Sequence, residues 1–177
     1  ILFFLYEYLF GGMNRKEITK DFSKLGIDSS MNEQITGTGI VNIALFGVDS
    51  RKDTFTGLSD SIIIASINRK TGSVKLTSFA RDTQVDLEGF GIQKINAAYS
   101  KGGPELAIKT LNQNFKMDIQ DYVTINMRQL INVIDVAGGV TIDITEDERI
   151  SANGIMREIS NKEPRIKKSG TVNLTGA

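Results

Sequence analysis

Four short polar runs in this sequence could do chemistry, and each sits where an apolar run begins or ends. Asp49-Ser50-Arg51 closes the run Ile40–Val48, and Ser59-Asp60-Ser61 opens the run that ends at Ile67. Ser78-Phe79-Ala80-Arg81-Asp82 closes an alternating segment, and Gln93-Lys94-Ile95-Asn96 leads through Tyr99 to Gly102-Gly103-Pro104. The residue types narrow the chemistry. Two carboxylates at close quarters repel, and an Mg²⁺ held through oxygen ligands and waters relieves that repulsion. Arginine's planar fork makes bidentate contacts to phosphate, and a helix start attracts anions through its free N–H groups. Each run also has an ordinary reading. Asp49 can close an Asx-turn beside a solvated Arg51, and Gly-Gly-Pro is a common way to begin a helix. Arg81 and Asp82 can form an exposed ion pair, which contributes only about 0–1 kcal/mol.

The residue types that are missing exclude other chemistries. Among 177 residues there is no cysteine, histidine or tryptophan. Thiolate nucleophiles, disulfides, zinc–thiolate sites and imidazole bases are therefore excluded, and with them any Ser–His–Asp triad. Twenty-one basic residues balance 21 acidic ones. With no charge excess and no basic recognition helix, the chain does not read as a nucleic-acid binder.

The elements that must position the four runs follow from patterning. Ile40–Val48 is almost continuously apolar, as for a strand buried on both faces, and Ser61–Ile67 is a second such strand. Ser73–Phe79 alternates with period two, and the turn Asn68–Gly72 joins it to the strand before as a hairpin. If Ser61–Ile67 runs antiparallel to Ile40–Val48, Asp49 and Asp60 face one another across a loop of ten residues. A helix opens at Gly103-Pro104-Glu105 with the stripe Ala107, Ile108, Leu111 and Phe115. Tyr122–Ile125 is a short strand, Arg128–Ala137 a helix stopped by Gly138-Gly139, and Val140–Ile144 another strand. Strands interleaved with helices predict an α/β fold with a mixed central sheet flanked by helices.

Three segments divide the chain. Ile1–Phe10 is apolar but short and interrupted by Glu7, whereas a spanning helix needs about 20 apolar residues. Residues 1–12 read as the trailing end of a membrane anchor, with a core-docking helix or expression residue as alternatives. Residues 13–39 read as a linker or juxtamembrane segment, and 40–177 as the main domain. The last thirty residues pass from acidic Glu146-Asp147-Glu148 to basic Arg165-Ile166-Lys167-Lys168 and end at Asn173–Ala177 without a terminating pattern, as if cut mid-domain.

Taken together, NIALFGVDSR (residues 42–51), LSDSIIIAS (58–66), LTSFARDT (76–83), KINAAYSKGGPEL (94–106) and VAGGVTIDI (136–144) resemble the LytR–CpsA–Psr family of cell-wall proteins. The resemblance implies an α/β/α sandwich on a single-pass membrane anchor, facing outside the cell membrane. It implies transfer of a glycopolymer, such as teichoic acid or capsular polysaccharide, from a polyprenyl-pyrophosphate carrier to peptidoglycan. Asp49 and Asp60 would hold Mg²⁺ or Mn²⁺, and Arg81 would clamp the pyrophosphate. Arg51, Asp82 and Lys94 would complete the anion pocket, with Asp49 or Asp82 as proton acceptor. Alternatives within this reading are a lipid-binding module or a pyrophosphatase. Two departures stand out. Leu58 occupies a position where the family commonly has arginine, and the chain ends before the family's Ala-Tyr-x-Arg-x-Arg motif.

Overall fold

The computed structural model describes residues 17–28, 30, 37–50, 55–159 and 166–176. The stretch read as an anchor remnant and Arg51 lie outside the described residues. Strands and helices alternate through β1 (Ile40–Val48), β2 (Ser59–Asn68), β3 (Val74–Phe79), β4 (Gln84–Leu87), β5 (Gly91–Lys94), α1 (Ala97–Phe115), β6 (Asp121–Asn126), α2 (Met127–Val136), β7 (Val140–Ile144), α3 (Glu146–Ile159) and β8 (Gly170–Leu174). This is the expected α/β class, a mixed sheet with flanking helices. Two compact units form, one from residues up to Phe46 with Leu58–Val123, the other from Gly47–Gly57 with Thr124 onward.

The first unit is organised by a four-stranded sheet of order β3-β2-β1-β6. β1 alternates buried Ala44, Phe46 and Val48 with half-buried neighbours. An uninterrupted apolar run is thus fully covered on one face only. β2 and β3 pair antiparallel from Ile67↔Val74 to Ile62↔Phe79, as the alternation and turn predict. α1 packs on β2, β4 and β5, burying Ala98, Tyr99, Ala107, Ile108 and Leu111. Tyr99 meets Phe46 with ring centroids 5.3 Å apart.

α1 begins at Ala97, earlier than Gly103-Pro104 predicts, and is broken at Gly102 (φ −146°) and Gly103 (φ 66°). The reason lies in Pro104, which lacks an N–H and disfavours helical geometry in the residue before it. Gly103 meets that demand with a positive φ that other side chains resist. The proline then opens the second, straight part of the helix, as expected.

Leu25 and Ile27, within the stretch read from sequence as a linker, are buried in this unit. Asn112 explains their hold. Its side chain donates to the carbonyls of Leu25 (2.8 Å) and Ile119 (3.0 Å) and accepts from the Ile119 N–H (2.8 Å). The short antiparallel pair β4–β5 was not expected from patterning. It is tied to α1 by Asn114, which donates to Asp86 O and accepts from Asp86 N, and by the Lys109–Glu88 ion pair at 2.6 Å.

In the second unit, α2 starts with a reciprocal capping box between Asn126 and Gln129. No residue of α2 is buried, and Val133 and Val136 are 53% and 75% exposed. Periodicity establishes that a helix is amphipathic; it does not supply the surface that covers it. β7 pairs antiparallel with β8, from Val140↔Leu174 to Ile144↔Gly170. Between them runs α3, opened by Thr145 and Glu148, which bond each other's backbone N–H. Asn153 bonds both the N–H and the carbonyl of Ile166. Neither α3 nor β8 was expected.

Candidate active site

The β2–β3 register builds the centre of the site. Its last pair is Ile62↔Phe79; two residues further along each strand lie Asp60 and Arg81. There Arg81 Nη1 forms an ion pair with Asp60 Oδ1 at 3.1 Å. A turn then reverses the chain, closed by the Thr83 N–H and Oγ1, which both donate to the Ala80 carbonyl. The β4–β5 pair returns Lys94 opposite Gln84, and the Lys94 ammonium reaches Asp82 Oδ1 at 2.6 Å. Asp82 Oδ2 lies 3.8 Å from Arg81 Nε. The result is a chain of alternating charge, Asp60–Arg81–Asp82–Lys94.

These groups line a pocket of about 340 Å³ together with Leu58, Gln93, Asn96 and Ala97. Asp60's side chain is 33% exposed, while Arg81, Asp82 and Lys94 are over half exposed. All four can therefore meet a ligand from solvent. The Lys94 hydrogen bond and charge, aided by Arg81, hold the Asp82 carboxyl below the ordinary carboxylate range. A carboxylate so held is a weak proton acceptor and a good tether for two cations.

The structure thus brings together Asp60, Arg81, Asp82 and Lys94 of the predicted set. Asp49 belongs to the second unit, exposed just after β1. There Gly57 lies so close that a Cβ on it would stand 2.7 Å from the Asp49 carbonyl oxygen. Sequence reasoning gave no role to Asn96 or Ser59. Both are buried, and a neutral amide or hydroxyl carries no charge signal to mark it. Leu58, the departure from the family pattern, stands at the pocket wall and is 44% exposed.

The donor chemistry suits a hard divalent cation. Asp60 offers carboxylate oxygen at a solvent-reachable pocket, and among the described residues no three carboxylates are placed to hold a metal ion together. Mg²⁺ is commonly held in this way, by one or two carboxylates with waters and substrate phosphates supplying the rest. A larger cleft of about 630 Å³, which includes Asp86, Glu88, Gln113 and Asn114, lies elsewhere in the first unit. Asn114 and Gln113 are bonded there to Asp86 and Glu88, so these groups mainly knit α1 to the β4–β5 hairpin.

A family comparison decides what kind of protein carries this pocket: the model of the LytR_cpsA_psr family matches residues 6–177. The chain belongs to the LytR_cpsA_psr family. Among LytR_cpsA_psr relatives, it is 40% identical over 103 residues to the polyisoprenyl-teichoic acid–peptidoglycan teichoic acid transferase TagU of Halalkalibacterium halodurans, over 58% of this chain and 34% of the relative. It is 33% identical over 174 residues to biofilm regulatory protein A of Streptococcus mutans, over 90% of this chain and 41% of that protein. The chain therefore spans less than half the length of these relatives. Its fold is similar to that of Bacillus subtilis TagT with bound octaprenyl pyrophosphate lipid, with a TM-score of 0.62 and 25% identity over 79% of this chain and 54% of that one. TagT bound to LI-WTA gives a TM-score of 0.63 at 26% identity, over 79% of this chain and 52% of that one.

Proposed function

We propose that this chain forms part of a transferase that moves a glycopolymer, of the teichoic acid or capsular type, from a polyprenyl-pyrophosphate carrier to peptidoglycan. The observation that carries the reading is the Asp60–Arg81–Asp82–Lys94 chain in an open pocket. Two cations held in place by carboxylates suit a ligand with two linked phosphates. The named ligands of the TagT structures and the named activity of TagU support the same chemistry.

In this mechanism a glycan hydroxyl attacks the phosphorus that bears the polymer. The bond from that phosphorus to the bridging oxygen breaks, and polyprenyl phosphate leaves. Arg81 binds the phosphate oxygens and offsets charge as it gathers on the leaving group, and Lys94 adds a second point of attraction. The hydroxyl's proton passes to a carboxylate, the role that the sequence resemblance gives Asp49 or Asp82. Asp60 is the proposed Mg²⁺ ligand, the role that the sequence resemblance also gives Asp49; the ion would supply further charge neutralisation at the pyrophosphate. Residues 1–12, as the end of an anchor, would keep the domain at the outer face of the membrane that holds its substrate. Among the described residues no helix is long and apolar enough to cross a membrane.

The test is polymer transfer to peptidoglycan by the whole protein. Asp60→Ala and Arg81→Ala are each expected to abolish transfer while circular dichroism stays unchanged. Undiminished transfer by both variants would overturn the proposal. Release of polyprenyl phosphate without attachment to glycan would replace it with the pyrophosphatase reading.

A further inference from the structure

Asn96 is 6% exposed, yet it bonds both the start of β2 and the segment just past β3. Its N–H donates to the Arg81 carbonyl at 3.3 Å. Its own carbonyl accepts from the Ser59 N–H at 3.3 Å and from Ser59 Oγ at 3.4 Å. Its side-chain Nδ2 donates to Asp60 Oδ1 over a longer 3.4 Å. The backbone contacts carry the architecture: they dock the end of β5 onto the start of β2 and the end of β3. The side-chain contact does something separate, since it is directed at the carboxylate.

Asp60 Oδ1 therefore meets two groups, Arg81 at 3.1 Å and Asn96 at 3.4 Å. The arginine is over half exposed and can turn toward a ligand. The asparagine is buried and anchored through its backbone, so it cannot follow. We infer that Asn96 is a positioning residue for Asp60, holding the carboxylate in its metal-binding orientation when Arg81 engages phosphate. Buried partners that orient a metal-binding carboxylate typically change metal affinity by about 10–100-fold when removed. The long contact here places the expected effect at the lower end. This inference rests on Asp60 being a ligand of the proposed Mg²⁺ site.

Mg²⁺ alone, titrated calorimetrically into the protein without lipid, tests it. Asn96→Ala is expected to weaken Mg²⁺ binding about 10-fold while the circular dichroism spectrum is retained. Asn96→Leu, close to asparagine in size, also lacks the Nδ2 donor and is expected to weaken Mg²⁺ binding to the same extent, with the Tm measured without Mg²⁺ little changed. Should Asn96→Ala fail to fold, Asn96→Leu decides the question. Wild-type Mg²⁺ affinity in either folded variant would overturn the inference, provided that Asp60→Asn loses binding and so upholds the metal assignment. If the unaltered protein binds no Mg²⁺, or Asp60→Asn binds it equally well, both the inference and the metal assignment fall.

Discussion

Arg81 and Asp60 meet at 3.1 Å two residues beyond the last pair of the β2–β3 ladder. Their contact is thus a product of strand register, and the hydrophobic alternation that fixes the register also fixes the charge pair. Arg81→Lys retains the charge but loses the planar fork. It is expected to keep the fold and to reduce transfer by about 10²-fold, the order seen when one preorganised donor is removed from a site that stabilises developing charge. Single-turnover transfer rates check this, and an effect under about threefold would argue against a bidentate role.

The Asp82 carboxyl is held low mainly by Lys94. Lys94→Ala should raise its titration midpoint toward the ordinary carboxylate range, followed through the Asp82 side-chain carbon by NMR. The expected loss in ligand affinity should accompany that rise. A midpoint unmoved by the substitution would show that the pair does not persist in solution.

Asp82 is one of several carboxyls held below their ordinary values by hydrogen bonds, among them Asp21, Asp28, Glu88, Glu146 and Glu148. A depressed folded-state pKa adds stability that is present above the unfolded value and lost as pH falls through the folded one. Stability is therefore expected to be level above about pH 5 and to decline below about pH 4. Urea midpoints measured across that range provide the check, with the steepest change on the acid side.

Asn112 replaces the secondary-structure partners that Leu25 and Ile119 lack, and it is only 2% exposed. Asn112→Ala strands buried backbone groups and is expected to cost about 2–4 kcal/mol. Urea unfolding measures this directly. A loss below about 1 kcal/mol would mean that water takes over the bonds.

At Gly57 the obstacle to a side chain is backbone, the Asp49 carbonyl at 2.7 Å from an added Cβ. Gly57→Ala must therefore move the loop rather than a flexible side chain, with an expected destabilisation of about 1–3 kcal/mol. Differential scanning calorimetry reads the shift, and an unchanged Tm would show that the loop yields freely.

β2 and β3, whose ends reach the pocket, were legible because each is a run of apolar or alternating residues bounded by turn formers. Asp60, Arg81, Asp82 and Lys94 were legible because charge at a strand end is conspicuous. What stayed hidden depends on partners distant in sequence. β4 and β5 are four residues each and carry Asp86, Gly91 and Lys94, a weak pattern that α1 stabilises through Asn114 and Lys109. Asn96 is invisible for a different reason: its importance comes from where its backbone sits. α2 shows the converse: Leu130, Ile131 and Val133 form an apolar stripe whether or not anything covers it.

The charged chain and its asparagine have a kinetic consequence. Lys94 is 12 residues from Asp82, and Asn96 is 36 from Asp60, whereas Asn112 reaches back 87 residues to Leu25. Short loops close at lower entropic cost and favour early contacts. The pocket should therefore assemble early in folding, with the segment around Leu25 sealed onto α1 afterwards. Substitutions at the pocket would then slow folding, and Asn112→Ala would chiefly hasten unfolding.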